Sequence, residues 1–140
     1  MARTNFEKLR VYQLSEKLAD QIWEIVVGWN AFAKDTVGKQ VVRSSDSIGA
    51  NLAESCGRGT FLDNKRFVRM ARGSLNETQH WLRRAYRRNL LTRKQVENLR
   101  PIIDQLGPSL NAYLKSIGGS PAPTYESKVD LNLTKATTDY

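Results

Sequence analysis

The sequence predicts an all-α chain, an antiparallel up-down-up-down four-helix bundle, and three observations predict it. Apolar residues recur at spacings of three and four through most of residues 11–117, the period of one helical face. No strand-like alternation of any length occurs before residue 118. The breaks between periodic stretches are short, and short connections make sequential amphipathic helices antiparallel neighbours. With 140 residues there is chain for one core and not for two. Residues 1–117 are expected to form the bundle, and residues 118–140, opening Gly118-Gly119-Ser120-Pro121-Ala122-Pro123, a flexible tail. The short alternation Val129, Leu131, Leu133 in that tail does not outweigh its polar, loop-forming composition.

Helix 1 is placed at about Val11 to Trp29, on the stripe Val11, Leu14, Leu18, Ile22, Ile25, Val26 and Trp29. Asn30 to Asp35 read as a short loop, with Asp35 or Thr36 capping the next helix. Helix 2, about Val37 to Cys56, has the thinner stripe Val37, Val41, Ile48 and Leu52. Its many small residues, among them Ser44, Ser45, Gly49 and Ala50, suit close approach by a neighbouring helix. Gly57-Arg58-Gly59 ends it, as glycine accepts a left-handed cap. Helix 3 runs from a Thr60 cap to about Leu90, with Phe67/Val68, Ala71, Leu75, Thr78, Leu82 and Ala85/Tyr86 inward. Gly73-Ser74 at its middle are expected to mark a close helix contact. Thr92 and Gln95 have the spacing of a capping box and open helix 4, whose pattern continues from Val96 to Ile117. Pro101 and Pro108 fall inside it, so a kink, or a break near Gly107-Pro108, is expected.

The charge is localised. The chain carries 22 basic and 14 acidic residues, a net +8. Residues 1–57 are neutral, residues 58–100 carry +9, and residues 101–140 carry −1. At about 100° per residue, Lys65, Arg66, Arg69, Arg72, Arg83, Arg84, Arg87 and Arg88 fall on one side of helix 3, opposite its apolar stripe. Arg93 and Lys94 come next, at the start of helix 4. Glu77 alone is set against this row, so self-repulsion along the helix is expected. Arginine forks suit phosphate oxygens, which favours a polyanionic partner. A subunit interface and a merely solvated face are the two competing readings. Trp81 and Tyr86 lie near enough to stack on bases, although packing between helices suits Trp81 better. Without a groove-reading or zinc-binding motif, binding would be phosphate-led and weakly sequence-specific.

Nothing in the chain assembles catalytic chemistry. His80 is the single histidine and falls on the basic face. Cys56, the single cysteine, has no evident base and reads as a small buried side chain at a helix end. Ser44, Ser45 and Ser47 have no general base at helical spacing. The Glu-x-x-His pairs of di-metal bundles are missing, and Gly57-Arg58-Gly59 is too short to cradle a phosphate. We expect no enzyme, metal or cofactor. One cysteine and no long apolar run fit a reducing, cytoplasmic setting without membrane spans. The opening residues also hold no stretch of signal-peptide type.

Three stretches resemble a known family, the bacterial four-helix bundle proteins called 23S ribosomal RNA intervening-sequence proteins. They are residues 5–13, from Asn5-Phe6 to Tyr12-Gln13; residues 40–54, which read Gln-x-x-Arg-x-x-x-Ser-Ile-x-x-Asn-Leu-Ala-Glu; and residues 67–77, which read Phe-x-x-x-Ala-x-Gly-Ser-x-x-Glu. The resemblance implies a four-helix bundle assembled as a homopentamer, with no established enzymatic activity. The chain is also similar to the accessory variability determinant of diversity-generating retroelements, a basic pentameric bundle that binds nucleic acid and a reverse transcriptase. The matching polar residues Arg43, Asn51, Glu54, Ser74 and Glu77 are then structural contacts, with Arg43 and a facing glutamate holding the bundle or a subunit interface in register.

The function these readings favour is a non-catalytic, oligomeric bundle that binds RNA or DNA through the arginine face of helix 3. The alternative is a scaffold whose basic face docks an acidic partner protein, for example a reverse transcriptase-like or operon-encoded one.

Overall fold

A computed structural model describes residues 6, 9–57 and 59–119. The tail expected to be flexible lies outside the described residues from residue 120 onward. Among the described residues there are four long helices and no strand. The first, α1, spans Arg10–Val26. The second, α2, opens at Ala31–Ala33, passes through a π-helical turn at Lys34–Gly38 and continues as Lys39–Cys56. The third, α3, is Phe61–Arg87, and the fourth, α4, is Arg93–Ser116. Each packs on its neighbour in the chain, and α4 returns to pack on α1, closing the bundle.

The core is the set of stripes expected. Leu14, Leu18 and Ile22 from α1 meet Val41, Ile48 and Leu52 from α2. Val68, Leu75 and Leu82 from α3, with Leu99, Ile103, Leu106 and Leu110 from α4, complete it. Truncating such a leucine to alanine typically costs about 2–5 kcal/mol, since packed helices relax only partly around the gap.

The largest difference from the sequence reading is at the start of α2. The loop expected at residues 30–35 is helix, because Asn30 rather than Asp35 or Thr36 is the cap. The Asn30 side chain accepts from the Ala33 N–H at 2.9 Å. The chain then passes through the π turn, with Ala33 and Val37 buried and Phe32 outside. Gly38 closes the fit: a Cβ there would stand 2.8 Å from Val26 Cγ1 and 3.2 Å from the Ala33 carbonyl oxygen. Gly49 makes a similar approach to Ser15 and Tyr12 of α1. Small residues on α2 thus admit α1 closely, as their spacing suggested.

The helix ends obey local chemistry. Thr60 Oγ1 accepts from the Asp63 N–H at 3.1 Å to open α3. That helix stops at Arg87, short of Leu90, because Asn89 takes the left-handed conformation at φ 63°. The Leu90 N–H then bonds the Ala85 carbonyl at 2.8 Å and the Asn89 N–H bonds that of Tyr86 at 3.1 Å, a Schellman end. Gly57, by contrast, is not left-handed (φ −94°), and its N–H tightens α2's last turn onto the Glu54 carbonyl.

Thr92 and Gln95 form the full capping box of α4. Neither proline breaks this helix. Both are exposed and seven residues apart, so both lie on its solvent side. The carbonyls they leave unbonded belong to Glu97 and Asp104, exposed positions that water reaches.

Gly73 faces solvent with nothing within 4 Å of a Cβ, so it is not the close contact expected. The contact belongs instead to Thr78, buried on α3. Its hydroxyl lies 2.9 Å from Ser44 Oγ on α2 and 2.8 Å from the Ser74 carbonyl. Cys56 is exposed rather than buried, its Sγ 3.6 Å from Tyr113 Oη on α4, because the inward position of that last turn belongs to Ser55.

Candidate nucleic-acid interface

Helix α3 positions the basic residues because its period turns every third or fourth residue inward and leaves the rest to solvent. Arg66, Arg69, Arg83 and Arg87 are exposed, as is Arg88 just past the helix end; Lys65 and Arg84 are half-buried. From Arg72 to Arg83 the rise is about 17 Å, so two groups of cations stand apart on the rod.

They are not equally available. The Arg66 guanidinium lies 3.7 Å from the Asp63 carboxylate and 4.8 Å from the Phe67 ring centroid. Asp63 therefore joins Glu77 in offsetting the row. Arg72 turns sideways: its Nη1 donates to Asn111 Oδ1 of α4 at 3.0 Å, so it ties α3 to α4. Glu77 is exposed and accepts from Trp81 Nε1 at 3.3 Å. No arginine stands three or four residues from Glu77, so it cannot pair along its own helix. Trp81 is half-buried against the core, in keeping with a packing role, and His80 is exposed with its ring edge-on to Trp81.

The polar residues read as register contacts scatter. Asn51 Nδ2 donates to the Ser47 carbonyl one turn back at 2.9 Å, a bond within α2. Ser74 serves through its carbonyl, which accepts from Thr78. Glu54 and Arg43 are both exposed, and Arg43 forms no ion pair among the described residues. An Arg43–glutamate pair therefore does not hold this bundle together from within.

The surface has two concave regions. At the α3–α4 corner a half-open hollow of about 410 Å³ is lined by Tyr86, Arg87, Asn89, Leu91 and Arg93. Along the α1–α2 seam a shallower one of about 350 Å³ has Trp23, Val27 and Val42 on its floor and Lys34, Lys39 and Arg43 on its rim. Trp23 there is 54% exposed and Val27 48%. Sequence periodicity does not show either. The first depends on the left-handed turn at Asn89, and the second on how α2 packs against α1. An asparagine just beyond a helix rich in arginine was the available clue to the first.

Titration adds little at this surface. The Asp46 carboxyl is pushed up, first by partial burial and then by Asp20 across the α1–α2 seam. The Tyr113 hydroxyl is pushed up mainly by burial, with Cys56 beside it contributing. Among the described residues, no group of three or more His, Cys, Asp or Glu is placed to hold a metal ion. No described helix is long and apolar enough to cross a membrane.

The 23S rRNA-intervening sequence protein family matches residues 7–112, which take in all of α1 to α3 and most of α4. The chain belongs to that family. A crystal structure of a protein of unknown function from the S23 ribosomal protein family of Bacteroides thetaiotaomicron has the same fold. Its TM-score is 0.67 at 26% identity, over 76% of this chain and 99% of that one. Comparison with curated proteins finds no match. Membership accounts for the bundle and for the stretches at residues 40–54 and 67–77. The family description gives no reaction or ligand.

Proposed function

We propose that this chain is a non-catalytic, self-associating bundle that binds nucleic acid through the arginine face of α3. The observation that carries the reading is the row of exposed guanidinium groups at Arg66, Arg69, Arg83, Arg87 and Arg88, with half-buried Lys65 and Arg84 beside them. Helix α3 has two acids, Asp63 and Glu77, against this row. Arg72 supports the face from its contact with Asn111. Arginine on a rigid helix loses little order on meeting a phosphate, and its fork accepts two oxygens. A cytoplasmic homopentamer would repeat the face around an axis and multiply weak contacts by avidity.

Binding to RNA or DNA should fall steeply with salt, the slope of log K against log salt being about −0.7 to −0.9 per phosphate engaged. Charge reversal at Arg83, Arg84 and Arg87 together should abolish it, and no binding at low salt would refute the reading. Light scattering tests the pentamer separately, where a monodisperse monomer would remove the avidity argument. If the basic face docks an acidic protein instead, the complex will survive nuclease treatment and nucleic acid will not compete for it.

A further inference from the structure

The hollow at the α3–α4 corner has chemistry that an arginine-rich rod alone does not supply. Its volume of about 410 Å³ is several times what one phosphate needs, and falls in the range of pockets that enclose small organic ligands. Arg87 and Arg93 approach it from two different helices, so their charges converge on a concave surface. Tyr86 is half-buried against the core, so its ring is already ordered. Asn89 is fixed by the Schellman turn and carries both a donor and an acceptor on its amide. Leu91, almost fully buried, closes the floor.

We propose that this hollow is a single-nucleotide pocket. Arg87 and Arg93 hold the phosphate of one unstacked nucleotide, and the Tyr86 ring and the Asn89 amide meet its base. The inference rests on the nucleic-acid function proposed for the arginine face and adds a preference for single strands. A duplex keeps its bases stacked inside and offers phosphates on a convex outer surface, which the exposed rod of α3 can meet but a hollow cannot. A single strand can turn a base outward onto an aromatic ring and hydrogen-bond its edge. The charged rod thus gives general affinity, and the corner sets which form of nucleic acid gains from it.

The test uses the full chain in fluorescence anisotropy at low salt, with a labelled single strand of about 12 nucleotides, its duplex, and adenosine 5′-monophosphate as competitor. The single strand should bind on the order of tenfold more tightly than the duplex, as one base–aromatic stack would give. Asn89→Gly keeps the left-handed turn and removes the amide, and Arg93→Gln removes one guanidinium. Each should weaken single-strand binding by roughly three- to tenfold and leave duplex binding within about twofold. The mononucleotide at millimolar concentration should displace the single strand and leave the duplex bound.

Equal affinity for the two forms, with both variants affecting them in parallel, overturns the pocket and leaves the arginine face standing. Failure to bind either form overturns both. A mononucleotide that binds as tightly as the oligonucleotide assigns the hollow to a free nucleotide and overturns the strand reading.

Discussion

Replacing Gln79 with methionine should stabilise the bundle. Gln79 sits on α3 with 4% of its surface exposed, and among the described residues neither its Nε2 nor its Oε1 has a hydrogen-bond partner. It lies seven residues beyond Arg72, the residue that reaches Asn111, so it shares the side of α3 turned toward α4. A buried polar group left unbonded costs about 1–3 kcal/mol, because water has been removed and nothing replaces it. Methionine keeps the length and unbranched shape of glutamine, with nearly the same helix propensity. Packing and local terms therefore nearly cancel, leaving the recovered desolvation cost of about 1–3 kcal/mol. For a bundle of this size that raises the melting temperature by about 4–12 °C. The assay is urea unfolding at one fixed protein concentration, because any self-association would make stability depend on concentration. The midpoint should rise while the slope stays constant. A loss of more than about 1 kcal/mol would refute the reasoning and show the amide to be hydrogen-bonded in the folded protein, to a trapped water or to a second copy.

Two glycines on α2 and α3 should respond in opposite directions. Gly38→Ala places a Cβ 2.8 Å from Val26 Cγ1 and should cost about 1–3 kcal/mol, whereas Gly73→Ala meets nothing and should gain about 0.5–1 kcal/mol, both read by urea melts. Thr92→Ala removes the capping box of α4 and should cost about 1 kcal/mol, with hydrogen exchange quickening in its first turn. Asp46 has its carboxyl raised above the ordinary 3.8 by burial and by Asp20, so the folded state binds the proton more tightly than the unfolded state. Its contribution is therefore present at low pH and lost as pH rises from about 3.8 through the folded value. Asp46→Asn should accordingly raise the unfolding midpoint at pH 7 and leave it nearly unchanged near pH 3, and an equal gain at both would count against the Asp20 contact.

The fold was legible because helix periodicity and capping are local. The inward residues of α3 from Val68 to Ala85 follow from spacing alone, as does the Thr92–Gln95 box. What escaped depends on side chains choosing between neighbours. Asn30 outcompeted Asp35 as a cap, and a π turn that no local spacing announces follows it. Gln79 is buried although polar, which its residue type does not suggest. Angular position placed Arg72 with the other cations. Only the position of Asn111 on the facing helix shows that it is used internally. The hollow at Asn89 was out of reach for a similar reason: two helix ends must be set in space before Arg87 and Arg93 converge.

The charge on α3 bears on its stability as well as on the proposed binding. Lys65–Arg69, Arg83–Arg87 and Arg84–Arg88 are like-charged pairs at four residues, and Arg66–Arg69, Arg69–Arg72 and Arg84–Arg87 are like-charged pairs at three. Each such pair disfavours the helix by about 0.2–0.5 kcal/mol at low salt, so the six together oppose it by about 1–3 kcal/mol. Asp63 relieves the first turn through Arg66, and the cation-rich last turn gains from the helix dipole. Glu77 is held by Trp81 and has no arginine within pairing distance along the helix. A chain selected only to fold would place glutamate among these arginines, as solvated helix faces ordinarily do. Under the proposed function, phosphates arriving from outside would convert the repulsion into attraction, and part of the free energy given up in folding α3 would return on binding. A merely solvated face would show no such exchange.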